Sequence, residues 1–232
     1  MQIPPLLVNE FYNDRYFDVI NAVEESWQIF IDGNHIIERL SKIHAGTAFC
    51  IGETGFGAGR NVVALMERCC RNNCSDVNIK YYSVELHPLS VGRMSSLLEA
   101  FSNIAGAQID LLIKEYSKID ITRSGWQRMF IDCLFGQLEV NLFFGEALEM
   151  VTALKSPCDA WFLDGHGPAK NPMMWREELL LTVGKKTVPG GTCATYTVAG
   201  TVRRALQAAG FVIEKCNGFG GKKSVLRGKM HL

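Results

Sequence analysis

Short apolar runs alternate with helical repeats from residue 47 onward, and this alternation limits the possible fold more than any other feature of the chain. The runs TAFCIGE (47–53), IKYYSVEL (79–86), VNLFFGE (140–146) and CDAWFLDG (158–165) predict buried strands. Helical spacing of apolar residues predicts helices over residues 61–71, 90–101, 175–185 and 202–209. Pro189-Gly190-Gly191 predicts a turn into a strand TCATYT, and FVIEKC follows as another strand. The pattern favours an α/β fold with a mostly parallel sheet and helices on both faces.

The first 45 residues lack this alternation. WQIFIDGNHI (27–36) predicts a hairpin around Asp32-Gly33-Asn34, and FYNDRYF (11–17) is polar and aromatic. The chain contains no internal repeat and no low-complexity linker. We therefore expect an N-terminal extension, residues 1–45, packed on one globular unit formed by residues 46–232.

The composition narrows the class of protein. Hydrophobic residues make up 47% and charged residues 21% of the 232 residues, which excludes a disordered chain. Basic and acidic residues balance at 24 each, so the chain is not basic overall. No signal-peptide pattern and no apolar run of about 20 residues occurs, so we expect no membrane association. The eight cysteines form no C-x-x-C and no metal-like spacing, which indicates reduced core thiols, no metal site and a cytoplasmic protein.

A glycine-rich loop follows the first strand of the alternating region. GETGFGAGRN (52–61) places Glu53 ahead of Gly55, Gly57 and Gly59 and opens a helix. Glycines there let the backbone turn tightly and approach a ligand closely. The dinucleotide fingerprint is G-x-G-x-x-G, whereas these glycines alternate and an acid precedes them. The arrangement resembles motif I of S-adenosylmethionine (SAM) methyltransferases, in which an acid can hold the ammonium group of SAM. A glycine loop without any ligand is the alternative.

Three further acids lie at strand ends. Glu85 ends the second strand, 26 residues after Gly59, where a carboxylate can accept both hydroxyls of a ribose. Gly145-Glu146 ends the third strand, where Glu146 can take the amino group of an adenine or act as a helix cap. Asp164 ends the fourth. Ligands bind beyond the carboxyl ends of parallel strands, so a glycine loop and three acids in this order predict one nucleoside-binding site.

The chain resembles a family of transfer RNA (tRNA) methyltransferases over residues 11–223. The family makes 5-methylaminomethyl-2-thiouridine and comprises the methyltransferase domain of the bifunctional protein MnmC and its stand-alone form MnmD. The matching stretches, in the family's order, are FYNDRYF, IFIDGN, GETGFGAGRN, FFGEALE, DAWFLDGHGPAKNPMMW, PGGTCATYTVAGTVRRALQAAGF and GFGGKK. DAWFLDG-x-x-PAKNP-x-MW is the most specific of them.

The resemblance implies a class I SAM-dependent methyltransferase fold, which is Rossmann-like, and SAM as methyl donor. It implies methylation of the 5-aminomethyl group of the wobble (2-thio)uridine in tRNA. The residues implied to bind SAM are Glu53, Gly55, Gly57, Gly59, Asn61, Glu85, Gly145, Glu146 and Asp164. The residues implied to bind the acceptor are Tyr16, Asn34, His166, Pro168, Lys170 and Asn171. The FAD-dependent oxidase domain of the fused members has no counterpart in these stretches, so no FAD is expected.

Asp164 is the expected catalytic residue. An alkylamine is mostly protonated at pH 7, so the enzyme must bind it, help it lose a proton and aim its lone pair. A carboxylate at the strand end can do this directly or through water. The alternative is that Asp164 anchors the cofactor. The loop from Gly165 to Pro172 is expected to form a stiff wall, in which Lys170 and Asn171 reach a phosphate or a base edge or lie in a solvated turn.

Several positions depart from the family pattern. His166 stands where Phe is usual, Glu146 and Met173 stand where Asp is usual, and Ala58 and Arg60 replace Thr and Leu. His166 can be a stacking surface, a second base or a filler for Phe. A SAM-dependent enzyme for another amine, such as a small molecule, is therefore the first alternative. A nucleoside-binding or polyamine-transferring relative and a non-catalytic RNA-binding module are the others.

The C-terminal stretch is locally basic. Residues 201–232 contain one acid, Glu214, and seven basic residues: Arg203, Arg204, Lys215, Lys222, Lys223, Arg227 and Lys229. This charge fits contacts with tRNA phosphates, and an ordinary solvated face is the alternative. The resemblance is also compatible with functional coupling to the enzymes that make the aminomethyluridine. It leaves open the oligomeric state and the need for a thiolated uridine.

Overall fold

The computed structural model describes residues 8–16, 22–44, 46–219 and 223–231. The strands in these ranges are β1 (Val8–Asn9), β2 (Asp14–Arg15), β3 (Ala48–Glu53), β4 (Val77–Glu85), β5 (Gly125–Cys133), β6 (Gly136–Phe144), β7 (Cys158–Phe162), β8 (Thr187–Thr195), β9 (Phe211–Asn217) and β10 (Ser224–Met230). The α-helices are α1 (Ala22–Ser26), α2 (Ile36–Leu40), α3 (Arg60–Arg71), α4 (Val91–Leu98), α5 (Ser102–Tyr116), α6 (Ala147–Ala153), α7 (Glu177–Lys185) and α8 (Gly200–Ala208). Phe17 of FYNDRYF and residues 220–222 of GFGGKK lie outside the described residues.

An eight-stranded sheet forms the centre of the fold. Its order is β5-β6-β4-β3-β7-β8-β10-β9. The strands from β6 to β8 pair in parallel. At the two edges, β5 pairs antiparallel with β6, and β10 pairs antiparallel with β8 and β9. The mostly parallel sheet predicted from the alternation is confirmed, whereas β5 and β10 are not among the predicted strands.

Helices cover both faces of the sheet, as predicted. Neighbouring residues of β7 show why: Trp161 and Phe162 are both fully buried but belong to different apolar clusters, because successive side chains of a strand point to opposite faces. Phe162 packs with α3 and α5, where Leu65 and Leu112 are buried. Trp161 packs with α6, α7 and α8 in the second cluster.

The predicted hairpin at Asp32-Gly33-Asn34 is wrong. Trp27–Ile31 forms a π-helical turn after α1, a tight turn follows, and α2 begins at Ile36. The apolar run is helical because most of it faces the core: Trp27 donates its indole N–H to the Ala64 carbonyl 3.1 Å away. Gly33 is required where the turn closes, since a Cβ there would lie 1.9 Å from the Ile29 carbonyl oxygen.

The turn predicted at Pro189-Gly190-Gly191 is also wrong, because these residues lie within β8. Cys158 of β7 pairs with Thr187 and Ala160 pairs with Thr192, so β8 carries extra residues in a bulge. Gly190 has a φ of +72° in this bulge. The Pro-Gly-Gly sequence therefore marks an irregular strand.

Across the described ranges, no helix is long and apolar enough to cross a membrane. The eight cysteines are free thiols, and Cys69, Cys158 and Cys193 are buried.

Candidate functional site

A cavity of about 700 Å³ opens at the carboxyl ends of β3, β4, β6 and β7. This size is in the range of small-molecule sites. Its wall includes these residues predicted for the site: Tyr16, Gly55, Gly57, Asn61, Glu85, Gly145, Glu146, Asp164, His166, Lys170 and Asn171. Residues 8–16, here called the N-terminal strap, form another part of the wall through Tyr12 and Asp14. Strand ends and strap together enclose one site.

The glycine loop lies close against the end of β7. A Cβ on Gly55 would lie 3.0 Å from the carbonyl oxygen of Asp164, and the Thr54 hydroxyl donates to that same oxygen at 2.7 Å. Gly57 has a φ of +56° and Gly59 a φ of +76°, which favour glycine. A side chain at any of these three positions would crowd or strain the loop, which is here called the glycine cradle.

Glu53 lies behind the cavity wall rather than in it. It is 1% exposed, and its two oxygens accept hydrogen bonds from Asn61 Nδ2 at 2.7 Å and Ser83 Oγ at 2.6 Å. Burial raises the pKa of Glu53 to about 8, against the effect of these two hydrogen bonds. The acid of the glycine motif therefore fixes Asn61, and Asn61 in turn faces the cavity.

Asp164 faces the cavity and is held by two residues of the glycine-rich segment 52–61. Its Oδ2 accepts from Asn61 Nδ2 at 2.8 Å and from Arg60 Nη2 at 3.0 Å. Its Oδ1 accepts from the backbone N–H of Gly165 at 2.9 Å. Arg60 is buried and also contacts Glu25 Oε2 at 3.2 Å. A carboxylate oxygen has two lone pairs, so Oδ1 keeps one acceptor position for a bound amine.

Glu85 is held by backbone N–H groups. Its Oε2 accepts from Gly57 N and its Oε1 from His87 N, both at 2.8 Å. Burial raises the pKa of Glu85 to about 7. Glu85 lines the cavity, so the fixed carboxylate can accept from a ligand hydroxyl group there.

Glu146 lies at the rim, where Arg176 Nη2 approaches its Oε2 at 3.4 Å. It precedes α6 and makes no side-chain capping bond to that helix. Gly145 lines the cavity beside it, and a Cβ on Gly145 would lie 2.7 Å from the Phe143 ring.

Aromatic rings and His166 line another part of the wall. The His166 ring lies 4.7 Å from the Tyr12 ring and 6.0 Å from the Tyr16 ring. Its Nδ1 is 3.3 Å from Asp14 Oδ2, and its carbonyl accepts from Trp175 Nε1 at 2.7 Å. Burial lowers the pKa of His166, and the charges of Asp14 and Asp164 oppose that shift.

A family model decides the class of protein. The model of an S-adenosyl-L-methionine-dependent methyltransferase matches residues 108–231, more than half of the chain. The chain belongs to this methyltransferase family. The site geometry fits SAM, because a glycine cradle and fixed carboxylates suit its ammonium and hydroxyl groups.

Relatives of this methyltransferase are much longer. It is 38% identical over 217 residues to the tRNA 5-methylaminomethyl-2-thiouridine biosynthesis bifunctional protein MnmC of Ectopseudomonas mendocina (strain ymp), covering 94% of this chain and 32% of that protein. The corresponding protein of Pseudomonas fluorescens (strain Pf0-1) is 36% identical with the same coverage. The chain thus spans about a third of the length of these relatives.

The crystal structure of MNMC2 from Aquifex aeolicus has the same fold. Its TM-score is 0.73 at 18% identity, covering 95% of this chain and 65% of that one. The expected class I methyltransferase fold is confirmed.

Four residues predicted for the site of this methyltransferase do not line the cavity: Asn34, Glu53, Gly59 and Pro168. Asn34 is fully buried and donates to the carbonyls of Phe30 and Trp161. Gly59 instead precedes α3, where a Cβ would lie 2.7 Å from Leu112. Asn171 does line the cavity, but its Oδ1 also accepts from Met174 N at 3.3 Å and caps the turn there.

Asp14 lines the cavity, as expected for the Asp14–Phe17 segment from the family resemblance. Five further residues of the wall were not predicted for the site: Phe11, Tyr12, Glu25, Arg60 and Tyr196. The Tyr196 hydroxyl donates to the Gly165 carbonyl and so supports the loop after Asp164. FYNDRYF carried a signal for the strap residues through the family resemblance. Glu25 and Arg60 are 35 residues apart, and their pairing leaves no local pattern.

Proposed function

We propose that this methyltransferase methylates the 5-aminomethyl group of the wobble (2-thio)uridine of tRNA to give 5-methylaminomethyl-(2-thio)uridine. One observation carries the proposal: Asp164 lines one cavity together with the glycine cradle and the rings of Tyr12, Tyr16 and His166. A carboxylate in the same cavity as a methyl-donor site and aromatic rings suits an amine attached to a base. The relatives in Ectopseudomonas and Pseudomonas are tRNA 5-methylaminomethyl-2-thiouridine biosynthesis proteins by name, which supports this acceptor.

The cofactor side would consist of Gly55, Gly57, Asn61 and Glu85. Glu85 would accept the ribose hydroxyls, since both its oxygens are already oriented by backbone N–H groups. Glu146 at the rim would accept the adenine amino group. Bound SAM supplies a methyl group on a sulfonium, which is already activated, so the chain's task is to position the acceptor.

Asp164 would hold the substrate ammonium through Oδ1. Its Oδ2 is occupied by Arg60 and Asn61, which fix the carboxylate plane. Charge-assisted hydrogen bonds of this kind are shorter and stronger than neutral ones. The amine nitrogen would thereby be aimed at the methyl group.

The acceptor side would take the pyrimidine ring and the phosphates of the RNA. Tyr12, Tyr16 and His166 offer ring faces, and stacking on aromatic side chains is a common way to hold an unpaired base. Lys215 and Lys223 line a neighbouring depression that shares Tyr196 with the main cavity. These lysines and Lys170 would contact phosphates, whereas Lys222 lies outside the described residues.

A tRNA substrate would place the protein in the cytoplasm. It would also couple the enzyme to the reaction that supplies the aminomethyluridine.

The test is methyl transfer from methyl-labelled SAM to purified tRNA that carries 5-aminomethyluridine. Unmodified tRNA is the matched control. We expect label on the aminomethyl tRNA alone, and a rate that falls steeply with added salt because phosphate contacts are screened. Absence of label on either RNA, with SAM binding shown separately, would overturn the proposal and favour another amine.

A further inference from the structure

His166 and Asp14 form a pair inside the cavity that the proposed function has not yet used. We propose that His166, oriented by Asp14, accepts the proton that the substrate ammonium loses before methyl transfer. This inference rests on the proposed function. It makes His166 a catalytic residue and Asp14 a positioning residue.

The contact between the two side chains sets the proton positions on the ring. His166 Nδ1 lies 3.3 Å from Asp14 Oδ2. An ionised carboxylate only accepts hydrogen bonds, so Nδ1 carries the proton in this pair. In a neutral ring Nε2 is then unprotonated and can accept a proton. The pair has the arrangement of a general base supported by a carboxylate.

Contacts fix both the backbone and the ring of His166. The Trp175 indole donates to the His166 carbonyl, and the Tyr12 ring lies 4.7 Å from the imidazole at an angle of 32°. The His166 side chain is 12% exposed, and it lines the same cavity as Asp164. A general base needs this fixed position within reach of the proton that it removes.

Asp164 is better suited to hold the ammonium than to deprotonate it. Arg60 and Asn61 both donate to its Oδ2, and Gly165 N donates to its Oδ1. These donors fix the plane of the carboxylate and leave one lone pair of Oδ1 for the ammonium. The structure therefore divides the work, with Asp164 binding the ammonium and His166 removing the proton.

The surroundings of His166 keep it neutral near pH 7. The charged and titratable groups that face it are Asp14 on the strap, Asp164 after β7, and the phenols of Tyr12 and Tyr16. Burial lowers the pKa of the imidazole, while Asp14 and Asp164 raise it. A group with a lowered pKa is unprotonated at neutral pH and can accept a proton from the substrate.

The proton step balances without any further reactant. One N–H bond of the ammonium breaks, its electron pair stays on nitrogen, and the proton forms a bond to Nε2 of His166. The free lone pair would then attack the methyl carbon of bound SAM, so that the N–C bond forms as the C–S bond breaks. The electron pair of the C–S bond would stay on sulfur as a neutral thioether, and the methylated amine would carry the positive charge. The imidazolium releases its proton to solvent when the product leaves.

The test is the pH profile of kcat/KM for aminomethyl tRNA, measured from pH 6 to 10 for the wild type and His166→Phe. Phe keeps a flat ring against Tyr12. We expect about a 100-fold loss at pH 7. The loss should shrink to about threefold near pH 10, because an alkylamine then arrives largely deprotonated. The exposed His44→Phe is the control and should keep the wild-type profile.

Asp14→Asn provides an independent reading. Asp14 raises the pKa of His166, so the rising limb of the profile should move to lower pH when that charge is removed. The plateau should fall about 10-fold, since the ring loses its charged partner. A merely structural role for Asp14 would lower the plateau without moving the limb.

Two results would overturn the inference. His166→Phe with wild-type rates at every pH would make the ring a simple wall, and an equal loss at every pH would make it a stacking surface. Failure of the wild type to label aminomethyl tRNA would instead overturn the proposed function, and the inference with it. SAM affinity, measured by calorimetry, should be unchanged in both variants.

Discussion

The two sides of the cavity are built in different ways. The proposed cofactor side is fixed by the backbone and by buried hydrogen bonds: Gly57 N holds Glu85, and Glu53 holds Asn61. The proposed acceptor side is formed by side chains from the strap and from the loop after β7, such as Tyr12 and His166. An enzyme that keeps one methyl donor and changes its acceptor can keep the cofactor side rigid and vary the side chains of the acceptor side. Substitutions should therefore separate SAM binding from acceptor turnover.

Asp164→Asn should produce the largest separation. The amide keeps the shape of the side chain but removes the charge that holds the ammonium, so kcat/KM for aminomethyl tRNA should fall about 1,000-fold. SAM affinity, measured by calorimetry, should change less than about threefold.

Asp159→Asn is the matched control, because Asp159 accepts from Cys50 N at the far end of β7. An equal loss of SAM affinity and turnover in Asp164→Asn would make Asp164 a cofactor anchor and would remove the division between the two sides.

Gly57→Val should give the opposite separation. Gly57 has a φ of +56° and its backbone N–H binds Glu85, so a branched side chain would distort both the loop and the carboxylate. We expect SAM affinity to weaken about 100-fold, which corresponds to the few kcal/mol of such strain and lost bonds. Gly106→Ala on α5, where a Cβ meets nothing within 4 Å, is the control. Normal SAM affinity in Gly57→Val would contradict the glycine cradle.

Arg60→Leu should destabilise the protein where the proposed cofactor and acceptor sides meet. Arg60 is 10% exposed at its side chain and pairs with both Asp164 and Glu25, so its loss leaves two acids facing each other. The free energy of unfolding should fall by about 3 kcal/mol, measured by chemical denaturation.

Adding Glu25→Gln to Arg60→Leu should recover part of that loss. Lys42→Ala removes an ion pair whose side chains are 69% and 61% exposed, and it should leave the free energy of unfolding nearly unchanged. If Arg60→Leu lowered the free energy of unfolding no more than this control does, the ion pairs of Arg60 would contribute nothing to stability.

The smallest expected effect is the pH dependence of SAM binding. Burial raises the pKa of Glu85 to about 7, so the carboxyl is protonated below that value and ionised above it. Ionisation supplies the acceptors for the ribose hydroxyls, so SAM affinity should rise about fivefold from pH 6 to pH 8. Glu85→Gln should flatten this rise. An unchanged rise in Glu85→Gln would assign it to another group.

The sequence predicted the elements whose signals are local. Apolar runs marked β3, β4 and β7, and the acids at their ends marked the edge of the sheet where the cavity opens. WQIFI was misread because a short apolar run fits both a strand and a buried helix. Its helical form depends on tertiary contacts, such as the Trp27 bond to Ala64.

The site residues that were predicted best belong to one short segment of the sequence. Gly55, Gly57 and Asn61 came from one motif, and the cavity contains all three. Glu53 was expected to face the ligand, and its actual position follows from Ser83 on the neighbouring strand. The link of Arg60 to Asp164 joins residues 104 positions apart, and spacing alone does not reveal such a contact.

The strap touches both sides of the cavity at once. Tyr16 comes within 3.7 Å of the Cβ position of Gly57 in the glycine cradle, while Asp14 contacts His166 on the acceptor wall. A ligand that binds at one subsite and shifts the strap therefore changes the affinity for the ligand at the other subsite. Thermodynamic linkage makes that influence reciprocal: by whatever factor bound SAM changes the affinity for the RNA, bound RNA must change the affinity for SAM.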